Sequence, residues 1–248
     1  DGIIGCWSPS VRGSGYLLPD LSGRGNHGVL TNMDAGTDWP AAAVRGVHGR
    51  VLDFDGSNDR VAIGAAAVTG APLTISAWVN VADFSADRSY VAIHSAFGSR
   101  FLLYNRFFFV TNGGSFSQAA LPTTPPTNTW FHLVAIESST SARKIVYNAS
   151  QEATATGTIA PTGINAVQIG ADSLSGTSQS FHNGRIGEVA IYNRALSSAE
   201  VLDLYRAGNG AIGRQLTGQT RRRVYGFVPA GFRAYWARRQ NQIIGGGV

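Results

Sequence analysis

The chain has 248 residues, of which 44% are apolar, 14% are charged and 31 are glycine, with 20 basic against 15 acidic side chains. That balance excludes an intrinsically disordered chain, and no run approaches the roughly 20 apolar residues of a membrane-spanning helix. A single cysteine, Cys6, excludes an intrachain disulfide or a thiolate zinc site, and reads as a small buried residue beside Trp7.

No signal peptide is visible, and the first residue is Asp1 rather than Met, which reads as residues removed or omitted. Strand signals come next in chain order. Leu52 and Phe54, then Val61 and Ile63, alternate with polar or small residues around the turn Asp55-Gly56-Ser57-Asn58. Leu73, Ile75, Ala77 and Val79 share one face of the next strand while Trp78 points the other way, so both faces are expected to be covered there. Further strands are predicted over 90–96, 101–105, 107–112, 130–137, 142–148, 167–170 and 185–193. Turn signals separate them, and the proline-rich stretch 122–129 is predicted to cross rigidly between two packed antiparallel sheets.

One helix is predicted. Ser197 and Glu200 form a capping box, Val201, Leu204 and Tyr205 an apolar stripe, and Gly208 the stop. A boundary is placed near residue 210, giving a domain over 1–210 and an arm over 211–248 with a short helix over 230–244. The first 210 residues carry thirteen bases and fifteen acids, net −2, whereas the last 38 hold seven arginines and no acid. The basic character therefore belongs to the arm.

Five segments, in order, resemble the laminin-G-like branch of the concanavalin-like superfamily. They are the opening turn 20–28 (DLSGRGNHG), a hairpin-like stretch 52–61 (LDFDGSNDRV), the strands 74–79 (TISAWV) and 130–135 (WFHLVA), and the closing segment 184–197 (GRIGEVAIYNRALS). The resemblance covers about residues 1–208. It implies an all-β jelly-roll sandwich of two curved antiparallel sheets, here with one short helix and a basic C-terminal arm. Members mostly bind glycans or proteins, and relatives include glucan hydrolases.

Function has to be read from sites rather than from fold. A retaining glucanase needs two carboxylates about 5 Å apart, and the E-x-D-x-x-E signature of hydrolytic relatives is absent. Glutamates stand only at 137, 152, 188 and 200, with Glu200 in the capping box, Glu152 expected in a loop and Glu188 on the closing strand. The reading is therefore not an enzyme. His27 and His132 fall inside family segments, while His48, His94 and His182 are expected in turns or at the surface. Relatives hold a structural calcium near the opening turn, which implies a role for Asp20. Gly187 stands where the closing strand often has an acid, so the reading favours Asp20 as a turn cap, with no cofactor and no metal ligand. Phe107, Phe108, Phe109, Tyr104, Asn105 and Arg106 could build a sugar platform, although aromatic strands are more often core.

The arm is the most distinctive feature. Arg, Tyr and Trp are enriched at interface hot spots, and the expected partner-binding residues are Arg221, Arg222, Arg223, Tyr225, Phe232, Tyr235, Trp236, Arg238 and Arg239. The expected partners are neighbouring protein subunits of a larger assembly, with the chain oligomeric and cell-surface glycans as a further partner. Nucleic acid is disfavoured, because the arm holds more apolar anchors than a simple polyelectrolyte. Disorder and fold-back onto its own domain are the other readings of the arm. Laminin-G-like domains are common on phage virions, so the leading expectation is a virion subunit, capsid-decorating or tail-associated. The alternative is a free bacterial carbohydrate-binding module or adhesin, secreted or at the cell surface.

Overall fold

The computed structural model describes residues 2–9, 15–44, 47–64, 68, 70–206 and 208. The arm over 211–248, its nine expected partner-binding residues and the helix expected over 230–244 lie outside the described residues.

Two antiparallel sheets carry the fold. The seven-stranded sheet runs β1 (Ile3–Trp7), β19 (Asn183–Tyr192), β8 (Leu73–Val81), β13 (Phe131–Ser139), β14 (Ala142–Tyr147) and β15 (Gln151–Thr156), with β6 (Leu52–Asp55) also pairing β19. The eight-stranded sheet runs β12 (Ser115–Ala120), β11 (Phe107–Asn112), β10 (Arg100–Tyr104), β9 (Ser89–His94), β16 (Ala166–Ile169), β7 (Arg60–Ile63), β3 (Gly28–Thr31) and β2 (Leu17–Leu18). Two small hairpins are added, β4 (Ala41–Val44) with β5 (Val47–Arg50), and β17 (Asp172–Leu174) with β18 (Thr177–Gln179). This is the predicted jelly-roll sandwich.

Alternation builds the core between the sheets. Leu73, Ile75, Ala77 and Val79 of β8 meet Val91, Ile93, Phe101, Leu103, Phe108 and Val110 of the facing sheet in one buried cluster. Truncating one of the fully buried phenylalanines, such as Phe101 or Phe108, costs about 3–5 kcal/mol in such a setting. The 122–129 segment crosses from β12 in one sheet to β13 in the other, as expected. The Asp55–Asn58 turn does not close a hairpin: β6 lies in the seven-stranded sheet and β7 in the eight-stranded one, so the turn is a corner. Asp55 Oδ1 holds it by accepting from the Ser57 and Asn58 amides.

The outer face of the seven-stranded sheet is also covered. Helix α1 (Ser198–Arg206) sits there, with Val201 packed among Ile3, Cys6, Val134, Val146 and Tyr192. Its capping box closes as predicted, Glu200 Oε2 accepting from the Ser197 amide at 2.9 Å. Trp78 points outward and stacks with both His132 (5.2 Å) and Tyr205 (5.5 Å), whose own ring centroids lie 6.1 Å apart. Gly208 lies flat against the Trp78 indole, where no Cβ fits. Cys6 is buried, as expected.

Candidate functional site

Strands β10, β11 and β12 form a meander at one edge of the eight-stranded sheet. Tyr104 opposes Phe107, Leu102 opposes Phe109 and Thr111 opposes Phe116. Because the backbone alternates, Phe101, Leu103, Phe108 and Val110 enter the core while their neighbours face outward. Tyr104, Phe107 and Phe109 are half-buried there, and Phe116 is 60% exposed. Ring centroids stand 5.2 Å apart for Tyr104 and Phe107, 6.1 Å for Tyr104 and Phe109, and 5.2 Å for Phe109 and Phe116. The result is a row of four rings along the sheet surface, flanked by Arg106 (4.8 Å from the Phe107 ring) and Arg100 (5.8 Å from the Phe109 ring).

Turn chemistry fixes this register. Gly113 and Gly114 take φ of 56° and 89° between β11 and β12, a two-residue turn that a side chain at either position would strain. At the other end Asn105 adopts φ 43°. Its side chain accepts from the Arg88 amide at 2.9 Å and donates to Asp87 at 3.0 Å, and its carbonyl accepts from the Tyr90 hydroxyl at 2.9 Å. The turn that presents Tyr104 and Phe107 is therefore held from below.

The β17–β18 hairpin folds back over the outward side of β9 and β16 and forms one flank of the row. Arg100 donates to Asp172 at 2.7 Å, Gln179 donates to the same carboxylate at 3.2 Å, and Gln168 bonds Ser178 at 3.2 Å. Under this cover His94 is 7% exposed. Burial holds it below the ordinary histidine range, and its Nε2 has no partner. His182 is fully buried as well, between Phe54 and Tyr90, with its pKa pressed down to about 3 by burial. Both residues correct the sequence expectation of surface or turn histidines. Histidine reads as polar in sequence, yet both rings are buried here, that of His182 packed edge-on against Phe54 and Tyr90.

The sequence reading left the Phe107–Phe109 run between platform and core, and the structure divides it. Phe108 is core; Phe107 and Phe109 are surface, joined by Tyr104 and Arg106. Phe116 and Arg100 were missed, because only strand pairing brings them to Phe109.

Hydrolytic chemistry finds little here. Glu137 and Arg143 form a fully buried two-pronged ion pair (3.0 and 2.8 Å). Glu152, which lies on β15 rather than in the expected loop, pairs with Lys144 at 2.9 Å; edge-strand polarity hid the strand. Glu200 is held by Arg194 and the capping box. Glu188 accepts from Ser8 at 3.4 Å, and burial pushes its carboxyl up to about 7. Asp59, raised to about 6 chiefly by burial, accepts from the Asp55 amide and braces the corner. Ser76 and His132 lie 2.8 Å apart, but both are buried beside Trp78 and Tyr205, and burial holds the imidazole down at about 3.

The calcium that the family resemblance implies does not fit Asp20. Oδ1 accepts from the Cys6 and Ser22 amides (3.0 and 2.9 Å), and Oδ2 from the Ser22 hydroxyl and the Asn26 amide (2.8 and 3.0 Å). The turn's own donors thus occupy the oxygens that a cation would need. Among the described residues no group of three His, Cys, Asp or Glu side chains could hold a metal ion. Nor is any helix among them long and apolar enough to cross a membrane.

A profile of the concanavalin A-like lectin/glucanases superfamily matches residues 55–202, and the chain belongs to that superfamily. No curated protein matches it by sequence. Among solved structures it resembles domain 4 of AbnA, a GH43 extracellular arabinanase from Geobacillus stearothermophilus, in complex with arabinotriose. That match has TM-score 0.67 and 16% identity, over 82% of this chain and 98% of that one. It also resembles the ligand binding domain of botulinum neurotoxin serotype D in complex with N-acetylneuraminic acid (0.58, 10% identity, over 83% of this chain and 51% of that one). A third likeness is to Trypanosoma rangeli sialidase (0.59, 14% identity, over 83% of this chain and 32% of that one). The chain thus spans about half of the toxin domain and a third of the sialidase. At these identities the likeness is one of fold, a lectin-like sandwich found in binding domains and in parts of enzymes.

Proposed function

We propose that this chain is a non-enzymatic glycan-recognition subunit, in which the jelly roll holds sugar against the outer face of the eight-stranded sheet and the 211–248 arm fixes it to a larger assembly. The observation that carries the reading is the row Phe107, Tyr104, Phe109 and Phe116, three half-buried rings and one exposed ring on the outer sheet face beside fixed polar groups, where a soluble sheet would normally present charge. Domain 4 of the arabinanase and the toxin domain, both solved with sugars, support it by analogy of fold alone. The commitment of Glu137, Glu152 and Glu200 to ion pairs supports the non-enzymatic half.

For the assembly, a phage virion is the leading reading, capsid-decorating or tail-associated. Its support is the acid-free composition of the arm, in which Arg221, Arg222, Arg223, Arg238 and Arg239 flank Tyr225, Phe232, Tyr235 and Trp236. The second reading, a binding module or adhesin serving a secreted or surface protein, is favoured by the 98% coverage of an arabinanase domain. Two experiments test the proposal. Phe109→Ala and Phe116→Ala should each lower retention of the full chain on its polysaccharide ligand by about tenfold with an unchanged far-UV CD spectrum; wild-type retention in both would remove the platform. Deleting 211–248 should abolish incorporation into the particle, and full loading of the truncated chain would remove the virion reading.

A further inference from the structure

Five connections meet at one end of the sandwich beside the aromatic row: residues 95–99, 113–114, 140–141, 157–165 and 175–176. Hydrogen bonds knit them together. Ser99 donates to Asn112 Oδ1 at 2.7 Å, Thr162 donates to the same oxygen at 3.3 Å, and Asn112 Nδ2 donates to the Ala160 carbonyl at 2.9 Å. The Ile159 amide reaches Thr140 at 3.0 Å, the Asn165 amide reaches His94 at 3.1 Å, and Leu174 lies over Gly98. In a chain that is 14% charged, these connections contain no Asp, Glu, Lys, Arg or His. They are Ser, Thr, Gly, Asn and apolar residues; Phe97 among them is 88% exposed, and Leu174, which β17 lays over Gly98, is 41% exposed. Rigid aromatics among small hydroxyl and amide groups are what adaptable recognition loops use.

The charges nearest this crown are already spent. Arg100 is bound to Asp172, with side chains 13% and 1% exposed. His94 is buried, and burial favours its neutral form. Arg106 lies at the opposite end of the row, donating to the Leu121 carbonyl and covering the Phe107 ring. A carboxylate or sulfate ligand would want a free guanidinium fork, and would lose hydration here without one.

We infer that the ligand of this face is an uncharged glycan, and that its contact runs from the aromatic row onto the charge-free crown at Phe97. The inference rests on the glycan reading of the same face and names the ligand class. Phe97 supplies a further exposed ring at the crown, and the crown's hydroxyls and amides supply neutral partners for sugar hydroxyls. An interaction of this kind is nearly blind to salt, whereas ion pairing is screened as salt rises.

The test presents the full chain with two sets of probes at low and high NaCl. One set is neutral (arabino-, xylo-, gluco- and galacto-oligosaccharides); the other is acidic (N-acetylneuraminic acid and oligogalacturonates). The expected result is binding within the neutral set, a Kd that changes less than about twofold between the two salt concentrations, and a loss of about fivefold or more in Phe97→Ser. Phe97 is almost wholly exposed, so that variant keeps its fold. Binding confined to the acidic set, or wild-type affinity in Phe97→Ser, overturns this inference while leaving a glycan-binding face. Binding of neither set by the folded chain overturns the glycan reading and this inference together.

Discussion

Replacing Arg143 by Met tests how the seven-stranded sheet is held. Arg143 on β14 faces Glu137 on β13 as a direct cross-strand partner, with both side chains fully buried. Two charge-assisted bonds join them, and Arg143 Nη2 also donates to the Thr140 carbonyl at 2.9 Å. Removing the guanidinium strands a carboxylate in the interior, which costs about 3–5 kcal/mol. With a urea m-value of about 2–3 kcal/mol/M, the midpoint should fall by about 1–2 M. Burial already raises the Glu137 pKa against the opposing pull of Arg143, so the variant should raise it further. The folded variant then takes up its proton at a higher pH than the unfolded chain. Its deficit should be greatest above the folded-state pKa and shrink as pH falls through it towards the ordinary carboxylate value. Glu137→Gln with Arg143→Met should recover much of the loss, because no charge is left buried. Urea titrations at two pH values, run as a double-mutant cycle, measure all of this. A single-variant loss under about 1 kcal/mol, or a double variant as unstable as the single one, would refute the reasoning.

The same geometry sets other outcomes. His132 and His182 are held neutral with pKa values of about 3, so the unfolded chain binds protons first as pH falls below about 6.5. Stability should then drop by about 1.4 kcal/mol per pH unit per histidine down to about pH 3, and His182→Phe should flatten that slope in urea titrations. Asp20→Ala should unpin four donors of the opening turn and cost about 3 kcal/mol or more. Adding EDTA or calcium to the wild type should leave its Tm unchanged, and a calcium-dependent rise would reinstate a cation at that turn. Ser197→Ala should cost about 1 kcal/mol through loss of the helix cap, read as a lower Tm.

The β8 strand was legible because its alternation is clean and its outward Trp78 announces a second covered face. The capping box at Ser197 was legible because it is local. Edge strands were not: β15 reads QEATAT and β12 reads SFSQAA, sequences whose polarity reflects an exposed edge and resembles loop. The 55–60 corner looked like a hairpin because turn residues specify a reversal and not which sheet receives the next strand. The candidate face was half legible. A run of three phenylalanines has no polar partner to say which way it alternates, and Arg100 and Phe116 join Phe109 only through register. Burial of His94 depends on a hairpin that arrives some eighty residues later.

The seat of Gly208 on Trp78 gives the molecule a polarity. The last described residue rests on the outward side of one sheet, while the ring row lies on the outward side of the other, so under the proposed reading a tether and a ligand need not compete for room. If the proposed anchoring and glycan binding both hold, copies fixed through the chain beyond Gly208 would stand side by side with their ring rows facing the same way. Weak single contacts would then add up by multivalency, with local concentration set by spacing. A fold with both functions on one side would forfeit that gain as its neighbours crowded in.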